Sequence, residues 1–440
     1  MSLTFEFSPP LCYPFLKAVA MTDQQARPLG RFYYLKITVF GFALTALWQS
    51  LHTITLPVLL LDFVPESQKN TSLGLLTLTG LLLAMFVQPL AGAFSDRSDF
   101  RWGRRRPFIL VGGVLALLLI PGLGLAGSYA AVFVVYCLLQ VATNIAQGPY
   151  QAFIPEMVPA DKRGRASGVK GVLEITGGIS LVYISSVFMD RYEDGGGSHL
   201  LWIVLGILML VFLVTVSATV FLVKESRLAA GRSLVSLGLT VFSTFKKDIW
   251  KNSGFVWFLL SRLLIYMAFT TIQQFGLYYF RDVLGVDDPA GVTFRFSVIS
   301  VAAMLAVVWP AGYFSDRVGR RPFTAVAGLL GAAGIGLIAL SPEYNSVLWA
   351  AGLIGISMGI FNSSNWALAT DFAPAGEEAR YLGVANMATA GGAVLARVIG
   401  PGIDFFNSRN DLSGYTFMLM MILAYYVIGA ALVLKIRRRT

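Results

Sequence analysis

Apolar runs of about 20 residues recur along nearly the whole chain, and no other feature restricts its fold so far. Each run can cross a hydrocarbon core of about 30 Å as an α-helix. Lipid offers no partner to a backbone amide, so such segments must close their hydrogen bonds internally, as helices. Of 440 residues, 56% are hydrophobic and 13% are charged, about half the charged fraction of an ordinary soluble domain. The runs predict twelve spans, near 34–61, 71–94, 107–127, 130–154, 166–188, 199–223, 255–280, 292–314, 323–341, 346–372, 382–403 and 414–434. The expectation is an all-α, multi-pass protein of the lipid bilayer.

The formal charge of +10 would suggest nucleic acid in a soluble protein, so the position of the charges decides. With both termini cytoplasmic, only Lys69, Arg191, Arg281, Arg295 and Arg409 fall outside, and Arg262 and Arg397 lie within spans. Every other Lys and Arg falls inside, counting Lys36 and Lys170 with their nearer side. This positive-inside bias supports an even number of spans and that orientation, and it makes nucleic acid unnecessary. Residues 1–30 hold Pro9, Pro10, Pro14 and Pro28 without a long apolar core. They are expected to form a mobile cytoplasmic tail rather than a cleaved signal, with Met1 and Met21 as alternative starts. Cys12 and Cys137 support neither a disulfide framework nor a metal site, and no cofactor is implied.

A constant offset between similar segments divides the chain into two halves. Gly92-Ala-Phe-Ser-Asp-Arg97 matches Gly312-Tyr-Phe-Ser-Asp-Arg317 at an offset of 220. After a first loop longer by five residues, Arg105-Arg106-Pro107 matches Arg320-Arg321-Pro322 at 215. That offset persists through Glu156/Asp371, Pro159/Pro374, Arg165/Arg380 and Gly168/Gly383. The expected units are a six-helix half over 31–223, a connector over 224–254 and a second half over 255–440. The connector sets Lys and Arg around Leu234, Leu237, Leu239, Phe242 and Phe245, the pattern of a helix lying on the cytoplasmic surface.

The stretch GAFSDRSDFRWGRRRP from Gly92, with GYFSDRVGRRP from Gly312, resembles the loop signature of the major facilitator superfamily in both expected places. The resemblance covers about residues 34–434. Gln88-Pro89, Arg104-Arg105-Arg106-Pro107-Phe108-Ile109 and Asn144-Ile-Ala-Gln147-Gly148-Pro149 are similar to the branch of sucrose:proton symporters and their bacterial relatives, of glycoside-pentoside-hexuronide type. Gln151 and Glu156 stand where sucrose carriers typically have Arg and a nearby Asp. The resemblance implies parallel halves that bind substrate between them near the midplane. It also implies loops that latch the outward-facing state.

For those loops, Asp96 and Asp316 are expected to meet helix N-termini. One latch per half is expected, with Arg97 or Arg106 near Glu156, and Arg317 or Arg321 near Asp371. The alternative is that these residues only set topology.

Charges inside a span cost roughly 2.5–3.5 kcal/mol each on insertion scales, so each needs a partner or a task. Glu174 lies about eight residues into span 5, or about 12 Å along the helix. Lys170 precedes it by one turn. Burial favours a neutral acid and a nearby ammonium favours the carboxylate, so a proton-coupling site and a structural Lys–Glu pair both fit. By the repeat, Glu174 aligns with Thr389 and Lys170 with Ala385, so this pair exists only in the first half. Arg262 in span 7 and Arg397 in span 11 offer forked donors for substrate hydroxyls or an anionic group, or for an acid or carbonyls at a helix break.

In the family, spans 1, 4, 7 and 10 line the cavity. Here they carry Trp48, Gln49 and His52; Asn144, Gln147, Tyr150 and Gln151; Gln273 and Gln274; and Asn362, Asn365 and Trp366. Amides with aromatic rings suit a polyhydroxylated ligand, and the same residue types also bond helices together. No P-loop, HExxH helix or G-x-S-x-G elbow is present, so no enzyme is expected. The expectation is a monomeric secondary transporter of the plasma membrane, preferably a bacterial inner membrane, moving a small polar solute such as a sugar or glycoside with protons. A proton-driven exporter and a transporter-like sensor are the alternatives.

Overall fold

The computed structural model describes residues 32–225, 252–374 and 378–436. Twelve helices in it are long and apolar enough to cross a membrane. The N-terminal half holds α1 (Tyr33–Leu60), α2 (Glu66–Arg97), α3 (Arg106–Leu125), α4 (Tyr129–Met157), α5 (Arg163–Glu193) and α6 (His199–Leu222). The C-terminal half holds α7 (Ser253–Asp282), α8 (Pro289–Val318), α9 (Arg320–Leu340), α10 (Tyr344–Phe372), α11 (Arg380–Asn407) and α12 (Ser413–Leu434). With an even number of helices, α1 begins and α12 ends on one face, the terminal face; the other is the far face. The expected tail over 1–30 and nearly all of the expected connector helix lie outside the described residues.

Two helices depart from regular geometry for legible reasons. Pro57 in α1 has no N–H to give the carbonyl four residues before it, and the turn Leu51–Thr55 relaxes into a π-helix. In α11 the helix tightens to a 3-10 turn over Arg397–Ile399, just before Pro401. On α6, Leu210, Val214 and Phe221 are exposed, as a lipid-facing helix requires.

The sequence repeat is also a packing repeat. Lipid gives no hydrophobic drive to helix association, so close backbone approach at small residues does much of the work. Gly177 of α5 rests on the carbonyl of Phe42 in α1, and a Cβ there would collide with it. Gly392 of α11, 215 residues later, rests on the carbonyl of Leu263 in α7, where a Cβ would stand 2.5 Å from the oxygen. The two carbonyl residues are 221 apart, so helices 1 and 5 and helices 7 and 11 make one interface twice over.

The halves are joined at the far face. Lys69, only 3% exposed, binds Glu66 at 2.5 Å and Asp282 at 2.6 Å. Arg281 binds Glu193 at 2.5 Å and Glu66 at 2.8 Å. Asn70 and the Thr71 amide donate to Asp404 at 2.8 and 2.6 Å, and Tyr415 donates to Asp282 at 2.5 Å.

Candidate functional site

Beneath this seal lie two adjoining hollows, the first walled by the N-terminal half and the second set between the halves. One, about 200 Å³, is lined by Trp48, Gln49, Gln147, Tyr150, Gln151, Lys170 and Glu174. The other, about 330 Å³, reaches across to Phe269 and Gln273 of α7 and Met304 of α8. Thr45, Gln49 and Glu174 belong to both. Eight residues singled out in the sequence therefore meet around one chamber between the halves.

Glu174 faces it beside one ammonium. Lys170 Nζ is 3.5 Å from the carboxylate, and both side chains are about a quarter to a third exposed. The ammonium also lies 5.6 Å from the centre of the Tyr150 ring. Tyr150 in turn is fixed, because its hydroxyl donates to Thr38 O at 2.8 Å and accepts from the Gly41 amide at 3.0 Å. Gly41 is required there: a Cβ would stand 2.8 Å from the Tyr150 hydroxyl and 3.1 Å from Glu174 Oε1.

The C-terminal half uses the same three positions differently. Arg262 lies 221 residues after Gly41, Asn365 lies 215 after Tyr150, and Thr389 lies 215 after Glu174. Arg262 Nε donates to Thr389 Oγ1 at 2.8 Å and Nη1 donates to Asn365 Oδ1. The rings of Tyr266 and Trp366 lie 5.5 and 5.6 Å from the guanidinium, and Tyr266 donates to Asn362 Oδ1 at 2.7 Å. One half thus has an acid facing a glycine, and the other an arginine facing neutral groups.

Other expected wall residues turn elsewhere. Asn144 is buried, and its amide donates to Gln140 on its own helix at 2.8 and 3.2 Å. His52, in the π turn, bonds the Tyr136 hydroxyl at 2.8 Å and ties α1 to α4. Gln274 is buried away from both hollows. Arg397 sits at the α11 break, where Nη1 donates to Ala393 O at 2.5 Å.

At the terminal face both expected acids are paired, but by different arginines. Glu156 is bound by Arg105 and by Arg104 at 2.7 Å, and Arg105 also holds Asp96. Arg106 turns away, donating to Val220 O at 2.5 Å and Trp102 O at 2.9 Å. Arg97, last residue of α2, makes no hydrogen bond or ion pair among the described residues. Arg320 binds Asp316 at 3.1 Å and Asp371 at 2.5 Å. Arg317 instead stacks over Tyr313, and Arg321 donates to Ile436 O.

Nor does Asp96 cap a helix. Glu225 does so, accepting from the amides of Arg104, Arg105 and Arg106 at 2.8, 3.0 and 2.8 Å. Glu225, Arg105, Arg320 and the far-face charges were missed in the sequence. The 215-residue offset between Arg105 and Arg320 was the one available signal for any of them.

These terminal-face pairs lie within single halves, whereas the far-face pairs join the halves. Lys69→Gln removes the buried cation between Glu66 and Asp282. Breaking a buried pair from one side costs about 3–5 kcal/mol. A Gln273→Cys reporter is expected to react at least about tenfold faster with an impermeant maleimide from the far face in this background. Unchanged reactivity would show that these charges do not close that face.

The family description Major Facilitator Superfamily matches residues 32–396. Sucrose transport protein SUC4 of Arabidopsis thaliana is 33% identical over 102 residues, 20% of this chain and 20% of that protein. Lactose permease of Leuconostoc lactis is 23% identical over 250 residues, 51% of this chain and 38% of that protein. The matched stretch thus spans about a fifth of the sucrose carrier's length and under half of the permease's. Among solved structures, nucleoside transporter NupG has a TM-score of 0.73 at 16% identity, covering 92% of this chain and 99% of that one. A D-xylose-proton symporter has a TM-score of 0.70 at 16% identity, covering 92% and 98%.

Proposed function

The chain belongs to the Major Facilitator Superfamily, whose members carry small solutes across membranes, and from that premise we propose that it is a proton-coupled carrier of a sugar or glycoside working by alternating access. The terminal face is assigned to the cytoplasm on the Lys and Arg bias, which makes the described state inward-facing. The carrying observation is Glu174, the one acid lining both hollows, beside an amide-rich and aromatic wall. The sucrose and lactose carriers among its relatives and the proton-coupled xylose carrier among its structural neighbours favour the same reading.

Uptake of labelled sucrose, lactose, xylose and uridine into proteoliposomes tests it. With the interior one pH unit more alkaline, one proton per solute supports about tenfold accumulation. A solute that enters only to equilibrium, at any pH gradient, would remove proton coupling from the reading; entry of none of them would remove transport of these classes.

A further inference from the structure

The solute's charge is legible in a buried cation of the C-terminal half. Arg262 is 4% exposed, and among the described residues no carboxylate pairs with it. Its hydrogen bonds go to two neutral oxygens, and two rings cover it. Arginine can only donate, so the Asn365 oxygen must face it and the Asn365 amide nitrogen must face away. That nitrogen is fully buried and has no acceptor.

A buried cation beside a buried donor is costly unless something supplies the missing acceptor. Across the chamber the acid is Glu174, which on the proton-coupled reading becomes neutral when it takes its proton. Neither hollow then holds a negative charge to offset Arg262.

We propose that the Arg262 and Asn365 pair is an oxyanion subsite, and that the solute carries a carboxylate or phosphate group toward the C-terminal half. The inference rests on the transport reading above and adds the charge and orientation of the cargo. A carboxylate or phosphate offers the acceptor lone pairs that the Asn365 amide and the remaining guanidinium N–H groups lack. Its neutral isostere leaves those donors unpaired. Hydroxyl-rich parts of the same solute face Gln49, Gln147 and Gln151 on the opposite wall.

The test is ligand-induced thermal stabilisation of the full chain in nanodiscs, with matched solutes on two scaffolds. Glucose is compared with glucuronate and glucose 6-phosphate, and uridine with uridine 5′-monophosphate. On at least one scaffold the anion is expected to bind about tenfold tighter than its neutral partner. A larger effect of glucuronate assigns a carboxylate, and of the phosphates a phosphate. Arg262→Gln is expected to erase the preference and Arg262→Lys to keep part of it. Asn365→Asp, which supplies an internal carboxylate and keeps Arg262 paired, is expected to erase it without loss of folding.

Equal binding of neutral and anionic partners overturns the oxyanion subsite and leaves the transport reading standing. Preference for uridine 5′-monophosphate with no binding on the glucose scaffold removes the sugar class and keeps the subsite. Binding of a neutral partner with none by its anion overturns the subsite alone, and no binding by any of the five solutes overturns both.

Discussion

Glu174→Gln proteoliposomes are expected to exchange solute across the membrane at a rate near that of the unaltered protein and to accumulate none. The substitution keeps shape and hydrogen-bonding capacity but removes the proton-releasing group. Glu174 lines both hollows, and its only ion-pair partner among the described residues is a Lys170 ammonium at 3.5 Å. A pH gradient of one unit should therefore change accumulation from about tenfold to none. Counterflow, which needs only binding and movement of the halves, should persist. Accumulation that survives the change would move proton coupling to another group and leave Glu174 as a partner for Lys170.

Arg105→Gln is expected to lower turnover at least about a hundredfold while the protein still inserts. Arg105 is 4% exposed and joins Asp96, Glu156, the Ser95 hydroxyl and the Gly92 carbonyl. Removing one partner of such a buried arrangement costs about 3–5 kcal/mol. Arg105→Lys should recover a part, since an ammonium cannot span two carboxylates as a guanidinium fork does. Arg97→Gln should stay within about twofold, as that side chain joins none of these groups. Equal turnover in Arg105→Gln and the unaltered protein would show that the Asp96 and Glu156 pairing has no part in the cycle.

The contrast between Arg105 and Arg97 marks how far the sequence could be read. Span number, both halves and the two acid positions follow from apolar run length, charge sidedness and one repeat offset, all properties of the linear chain. Which arginine of Arg104-Arg105-Arg106 reaches Glu156 depends on where α3 begins. The helix starts at Arg106, whose side chain falls toward α6, while Arg105 just before it points back at α2 and α4. A loop's spacing does not carry that rotation.

The far-face seal was illegible for another reason. Lys69 meets Asp282 across 213 residues, and Asn70 meets Asp404 across 334. Only the packing of the two halves brings them together. Asn144 shows the opposite limit: its residue type and its helix suit a cavity wall, yet its position around α4 directs it to Gln140. The repeat did carry part of the site, since it set Glu174 against Thr389. The match of Gly41 to Arg262 needed the three-dimensional crossing of α1 with α5 and of α7 with α11.

The Lys69, Glu66, Asp282, Arg281 and Glu193 seal also bears on what the membrane loses while the protein works. Charges held this closely are stable when fully paired or fully hydrated, and a single water among them replaces one contact without solvating the rest. Opening that face must therefore break several of these pairs together. A face closed by interlocked pairs offers ions no bore while it stays shut, so gradients across the membrane are not drained there while the protein waits for cargo.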